Sequence, residues 1–196
     1  MDKYQNKYRI SSARLKNWNY SWAGCYFITI CTANREHYFG KMVDGIMQLS
    51  PTGVIADILW HEIINHAKDI DLGAFVTMPN HIHGILILNA NNDDNNGVVV
   101  ETGHALSLRQ STQQSTQQPL SPGQQRFRNQ GKNTVSSIIG SYKSAVTKHA
   151  HRLGFSFAWQ TRFHDHIIRN NEEYQRIENY IICNPNIWIE DKFYTS

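Results

Sequence analysis

Residues 89–132 carry no apolar periodicity, and that stretch decides where a core can come from. It contains NANNDDNNG, the direct repeat STQQSTQQ at 111–118, and PLSPGQQ. Such a composition buries too little apolar surface to offset the entropy of ordering, which predicts a disordered polar insertion rather than a structural element. Any core must therefore be assembled from the blocks on either side. With 196 residues and a hydrophobic share of 40%, those blocks suffice for one domain spanning 1–196, interrupted at 89–132.

The first block opens with CYFITICT at 25–32, β-branched and aromatic, which reads as a buried strand. A second strand is expected around Gly45–Leu49. Ser50-Pro51-Thr52 then signals a helix start, with Ser50 as N-cap and Pro51 in the first turn. Val54, Ile55, Ile58, Leu59 and Ile63 recur at helical spacing through His66. Asp71–Thr77 and His81–Leu88 read as two strands of a hairpin turned by Met78-Pro79-Asn80. In the second block a helix is expected from about Thr134 to Leu153, with Asn133 as a possible N-cap and Gly154 as the stop. A strand around Phe163–Arg169 and a helix capped by Asn170 or Asn171 follow, closed by Asn184-Pro185. The order β-β-α-β-β-α-β-α predicts an α+β fold: an antiparallel sheet of four to five strands with helices packed on one side.

Composition limits function and compartment. The net charge of +3 comes from 19 basic and 16 acidic side chains, too little for a protein that coats duplex nucleic acid. Its distribution is uneven: residues 1–125 hold 9 basic and 10 acidic groups, residues 126–196 hold 10 and 6. Lys3, Lys7, Arg9, Arg14 and Lys16 add a second basic cluster, so a modest positive face is possible. Met1 to Lys16 has no apolar segment of a secretory leader, and no stretch reaches the roughly 18 apolar residues of a membrane span. Cys25, Cys31 and Cys183 form no CxxC pair. Three buried thiols in a reducing cytoplasm are expected, not disulfides or a structural zinc site.

Two constellations could carry chemistry. His81-Ile82-His83 lies on an apolar strand, where residues two apart face the same way. Both imidazoles then project together while Ile82 enters the core, giving half of a divalent-metal site. His164-Asp165-His166 and His149-Ala150-His151 show that the pattern alone is cheap in a chain with 10 histidines. Tyr180 and Asn184, four apart on a helix, would share a face. A phenol there could attack phosphorus beside a metal that the amide oxygen helps hold. Pro185 biases Asn184 away from helical geometry and loosens that argument.

Three strings, taken together and in order, carry a resemblance: Met78-Pro79-Asn80-His81-Ile82-His83-Gly84-Ile85, Trp159-Gln160-Thr161-Arg162-Phe163-His164-Asp165-His166-Ile167-Ile168-Arg169-Asn170, and Tyr180-Ile181-Ile182-Cys183-Asn184-Pro185. From about Tyr20 to Trp188, outside the insertion, the chain resembles transposase-like proteins of the single-tyrosine HUH class, most of all the branch associated with repetitive extragenic palindromes. The resemblance implies a ferredoxin-like HUH core and a metal-dependent nuclease and strand transferase that cleaves single-stranded DNA near hairpins. It implies Mg²⁺ or Mn²⁺ held by His81, His83 and Asn184, and Tyr180 as a nucleophile that leaves a 5′-phosphotyrosine and a free 3′-hydroxyl. Tyr142, beside Lys143, is the rival nucleophile, with Tyr174 third.

Trp159, Arg162, Arg169, Lys143 and Lys148 are candidates for stacking on unpaired bases and contacting phosphates. His164 and His166 could extend the metal site to four histidines or, as preferred, shape the groove wall. A histidine-triad hydrolase is excluded because position 85 is Ile. A catalytically silent, domesticated hairpin-binding protein is the alternative function. Both the monomer of the palindrome-associated branch and the helix-swapped dimer of insertion-sequence relatives fit the residues.

Overall fold

A computed structural model describes residues 21–90 and 134–194, together with the backbone of two short N-terminal strands, β1 (Lys3–Tyr4) and β2 (Lys7–Tyr8). The proposed insertion and Asn133 fall almost entirely outside the described residues, and so do the side chains of the N-terminal basic cluster. After these come β3 (Gly24–Cys31), β4 (Gly40–Val43), β5 (Ile46–Leu49), α1 (Pro51–His61), α2 (Ile63–His66), β6 (Ile70–Met78), β7 (His81–Leu88), α3 (Val135–Arg152), β8 (His164–Ile168) and α4 (Asn171–Cys183).

Four strands form the central antiparallel sheet in the order β6-β7-β3-β8. The α+β class is as expected, but two details differ. Strand β5 does not join this sheet. It pairs with β4 in a separate hairpin whose turn needs left-handed backbone at Asp44 and Gly45. The helices also occupy both faces instead of one. Tyr26, Ile28, Ile30, Ile82 and Leu86 face α1 and α3 in the larger core, with Trp60, Val135, Ile139 and Val146. Cys25, Ile85 and Ile168 face the other way and are covered by Ile177 and Ile181 of α4. A buried strand is apolar on both sides and so needs cover on both.

Gly84 brings α1 close. A Cβ at this position would lie 2.3 Å from Cζ2 of Trp60, whose ring stacks on Phe75 at 4.9 Å between centroids. With Trp60 seated there, the row His81–His83–Ile85 is left for the opposite face.

Local signals set the helix ends. Ser50 Oγ accepts from the Gly53 amide with Pro51 in the first turn, and Asn170 Oδ1 accepts from the Glu173 amide. The α1 helix stops at His61, and α2 is a separate turn, so the run expected through His66 is broken at Glu62. On α3 the cap is Thr134 rather than Asn133: its hydroxyl accepts from the Ser137 amide while Ser137 Oγ accepts from the Thr134 amide. Gly154, at φ +82, ends that helix as expected. Thr134→Ala removes the hydroxyl that accepts from the Ser137 amide, leaving only the half donated by the backbone of residue 134, and is expected to cost about 1 kcal/mol in a denaturant titration.

Cys25 and Cys31 are buried free thiols, whereas Cys183 is exposed, correcting the expectation of three buried ones. It lies at the end of α4 on the side away from Ile177 and Ile181. Among the described residues, no helix is long and apolar enough to cross a membrane.

Candidate metal and tyrosine site

Register places the histidine pair. His81 lies opposite Cys31 and His83 opposite Thr29 on β3, so both imidazoles point to the α4 face. His81 and His83 are each 0% exposed, and their Nε2 atoms lie 3.1 Å apart.

The hydrogen bonds behind them fix one tautomer. Asn80 Nδ2 donates to the Phe193 carbonyl, which leaves Asn80 Oδ1 to accept from His81 Nδ1 at 2.9 Å. His81 therefore carries its proton on Nδ1 and turns a lone pair on Nε2 toward His83. His83 Nδ1 meets the rotatable hydroxyl of Thr29 at 2.8 Å, which can donate or accept. When Thr29 accepts, both Nε2 lone pairs converge, each backed by an N–H bond from the same ring, the usual support of metal-bound histidine. Burial is the main cause holding His81 down at about 3, with the charges of Arg35 and Lys192 adding to it. Burial and then His81 itself hold His83 well below its ordinary value. Both rings are thus neutral at pH 7, as ligation requires.

Helix α4 delivers Tyr180 and Asn184 to this pair. Asn184 keeps right-handed helical backbone (φ −55, ψ −40), because Pro185 enters a 3₁₀ turn spanning Asn184–Glu190 instead of an extended segment. The loosening expected from Pro185 is absent, and the two side chains share a face. Tyr180 Oη lies 3.3 Å from His83 Nε2. Asn184 is 0% exposed, and its Oδ1 is a buried oxygen without a hydrogen-bond partner. A buried carbonyl oxygen left unpaired costs about 1–3 kcal/mol. A cation beside it would remove that cost, so the donor set fits a divalent metal.

The sequence reading missed Asp191. Its Oδ2 accepts from Tyr180 Oη at 3.2 Å and from Asn184 Nδ2 at 2.8 Å, and its Oδ1 accepts from the Phe193 amide at 2.6 Å. Ligand atoms of His81, His83 and Asp191 lie within 4.8 Å of one another and could hold a metal ion. No motif marks Asp191: it sits past the 3₁₀ turn, where nothing periodic remains to read. Burial, followed by the Asp191 carboxylate, pushes the Tyr180 phenol up to about 12, so it stays protonated with Asp191 as its acceptor.

The remaining candidates are dispersed. Tyr142 is on the opposite face of the sheet, buried against Trp60 and Trp159, with its hydroxyl donating to the Ala56 carbonyl at 2.9 Å. Trp159, expected to stack on bases, packs on Phe39 and Phe157 and donates its indole N–H to the Lys143 carbonyl. Lys143 donates to the carbonyls of Gln160 and Thr161, so its ammonium ties α3 to that loop. Arg162, Arg169 and Lys148 are exposed. His164 aligns across β3 with Thr29, and His166 with Phe27, on the face of the metal pair. Both are exposed, and His166 is spent on Glu173 at 2.8 Å, so no four-histidine cluster forms among the described residues. Tyr174, half-buried, packs beside Ile85 in the smaller core.

Comparison with known proteins follows this geometry. No protein-family model matches the chain. A Haemophilus influenzae protein of uncharacterized function is 34% identical over 184 residues, 93% of this chain and 92% of that one. Among solved structures, the REP-associated tyrosine transposase bound to a REP hairpin superposes with a TM-score of 0.54 at 19% identity, covering 94% of this chain and 76% of that chain. The chain belongs to one family with the Haemophilus influenzae protein, and its fold is that of the REP-associated tyrosine transposase.

Proposed function

We propose that the chain is a divalent-metal-dependent endonuclease and strand transferase that acts on single-stranded DNA beside hairpins, with Tyr180 as nucleophile. The observation that carries this reading is the gathering of the Tyr180 hydroxyl, both histidine Nε2 atoms and the Asn184 amide, its Oδ1 unpaired, around Asp191. The shared fold with a transposase bound to a hairpin supports the choice of substrate.

His81, His83 and Asn184 would hold Mg²⁺ or Mn²⁺, with Asp191 within reach. When bound, the ion supplies charge stabilisation at the scissile phosphate. The chain's own residues do the rest. Asp191 Oδ2 takes the proton of Tyr180 as the phenol oxygen attacks phosphorus. The new bond is Oη–P, and the bond to the 3′-oxygen breaks; that oxygen takes a proton from water, leaving a 5′-phosphotyrosine and a free 3′-hydroxyl. Since the phosphodiester bond is exchanged and not hydrolysed, another 3′-hydroxyl can reverse the step and return the proton to Tyr180.

A second reading, a catalytically silent hairpin-binding protein, is favoured by one observation. The Phe193 ring lies 4.7 Å from His81 and 5.8 Å from His83, so the pair is sealed from solvent. The test is to incubate the protein with labelled hairpin oligonucleotides and Mn²⁺ and resolve covalent protein–DNA adducts in denaturing gels. A metal-dependent adduct, abolished by chelator, is expected. Hairpin binding without any adduct would select the silent reading.

A further inference from the structure

The protons of the histidine pair are placed by the neighbours of each ring. His81 has one arrangement: Asn80 Nδ2 is spent on the Phe193 carbonyl, so Asn80 Oδ1 requires the His81 proton on Nδ1 and a lone pair on Nε2. That lone pair lies 3.1 Å from His83 Nε2. Tyr180 turns a second lone pair toward the same atom. Its hydroxyl proton is donated to Asp191 Oδ2, which leaves the phenol oxygen as an acceptor 3.3 Å from His83 Nε2.

His83 thus meets two acceptors at hydrogen-bond distance, and both call for a proton on its Nε2. In a neutral ring Nδ1 then carries a lone pair. The group that meets Nδ1 suits this, since the Thr29 hydroxyl is 2.8 Å away and can donate. Thr29 is buried and lies opposite His83 in the β3–β7 register, which keeps the hydroxyl against the ring. Ligation needs the reverse, a lone pair on Nε2 and the proton on Nδ1. The contacts around His83 therefore favour, in protein free of metal, the tautomer that cannot ligate.

We propose that His83 is a tautomeric switch and that Thr29 is the positioning residue that lets it turn: its hydroxyl donates to Nδ1 in metal-free protein and accepts from Nδ1 when the pair ligates a divalent cation. One proton leaves Nε2 and one is taken up at Nδ1 by exchange with water, so the ring stays neutral. The same change withdraws the N–H held against Tyr180 Oη and releases the phenol oxygen for attack. Asn80 holds His81 fixed throughout, so one ring of the two changes. The inference rests on the proposed metal-dependent reading and deepens it, because loading the site would arm the nucleophile as well as stabilise charge at the phosphate.

The experiment follows the full chain, labelled with ¹⁵N in its histidine rings, by long-range ¹H–¹⁵N NMR at neutral pH with and without excess diamagnetic Mg²⁺. His81→Gln and His83→Gln chains assign the two rings. Metal-free protein should show the His81 proton on Nδ1 and the His83 proton on Nε2. With Mg²⁺ the His83 proton should appear on Nδ1 and His81 should be unchanged. Mn²⁺ affinity is then compared between the parental chain, Thr29→Val and Thr29→Ser. Thr29→Val keeps the shape but leaves the Nδ1 proton of the ligating ring without an acceptor, and is expected to weaken Mn²⁺ binding about tenfold. Thr29→Ser restores the hydroxyl and should recover most of the affinity. A His83 proton already on Nδ1 in metal-free protein, a tautomer unaltered by Mg²⁺, or parental Mn²⁺ affinity in Thr29→Val overturns the inference. So does a Thr29→Ser chain as weak as Thr29→Val. These measurements use no DNA, and the nuclease reading fails separately, by the absence of any adduct from the parental chain.

Discussion

Tyr180→Phe is expected to abolish the covalent protein–DNA adduct, a loss of at least about a thousandfold, while hairpin binding persists. Phenylalanine keeps the ring, which meets Phe27 edge-on at 6.1 Å and His83 at 5.3 Å, so the α4 face stays packed. What disappears is the oxygen 3.3 Å from His83 Nε2, and with it the bond it donates to Asp191. Tyr142→Phe is the matched control. Its hydroxyl is buried against Ala56 behind the sheet, where burial and then Asp57 push the phenol well above its ordinary value. Losing that bond should cost about 1 kcal/mol of stability and leave adduct formation intact. Adduct formed by the Tyr180→Phe chain and not by the Tyr142→Phe chain would reverse the assignment.

The contrast between these tyrosines shows where sequence reasoning was strong. Tyr180 and Asn184 lie one helical turn apart, and His81 and His83 lie two apart on a strand. Each pair is a local relation that periodicity reveals. The same holds for Ser50 with Pro51, Asn170 and Gly154, whose backbone chemistry marks a helix end without help from elsewhere.

What stayed hidden depends on tertiary placement. An amphipathic stripe says that α4 buries Ile177 and Ile181, but not against which face of the sheet, so the helices were expected on one side. Lys143 and Trp159 read as nucleic-acid contacts because their partners, the carbonyls at 160, 161 and 143, are backbone groups that no sequence pattern displays. Asp191 and Arg35 are the sharpest cases. One follows the last periodic segment and lies within ligand distance of the histidine pair, and the other sits in a left-handed turn with its guanidinium against Phe193.

The second large effect is on stability in acid. In chelator-treated protein, unfolding free energy is expected to fall steeply as pH drops below about 6.5. Folded His81 takes its proton only at about 3, against 6.5 as its ordinary value, and His83 is displaced in the same direction. Between those limits the unfolded chain holds more protons than the folded one, so stability rises with pH and is lost on acidification. Each histidine contributes a slope of about 1.4 kcal/mol per pH unit within its window. Over its window His81 alone amounts to several kcal/mol, a large share of a small domain's total stability, and His83 acts in the same direction. Denaturant titrations at successive pH values measure the slope directly, and a His81→Gln, His83→Gln chain should lose most of it. Adding Mn²⁺ should stabilise the parental chain at neutral pH, because the cation binds only the folded, deprotonated pair. That gain should shrink toward acid as protons compete for the same lone pairs. A slope unaltered by the double substitution would mean that the pair is not held neutral by burial, and the case for His81 and His83 as ready ligands would fall with it.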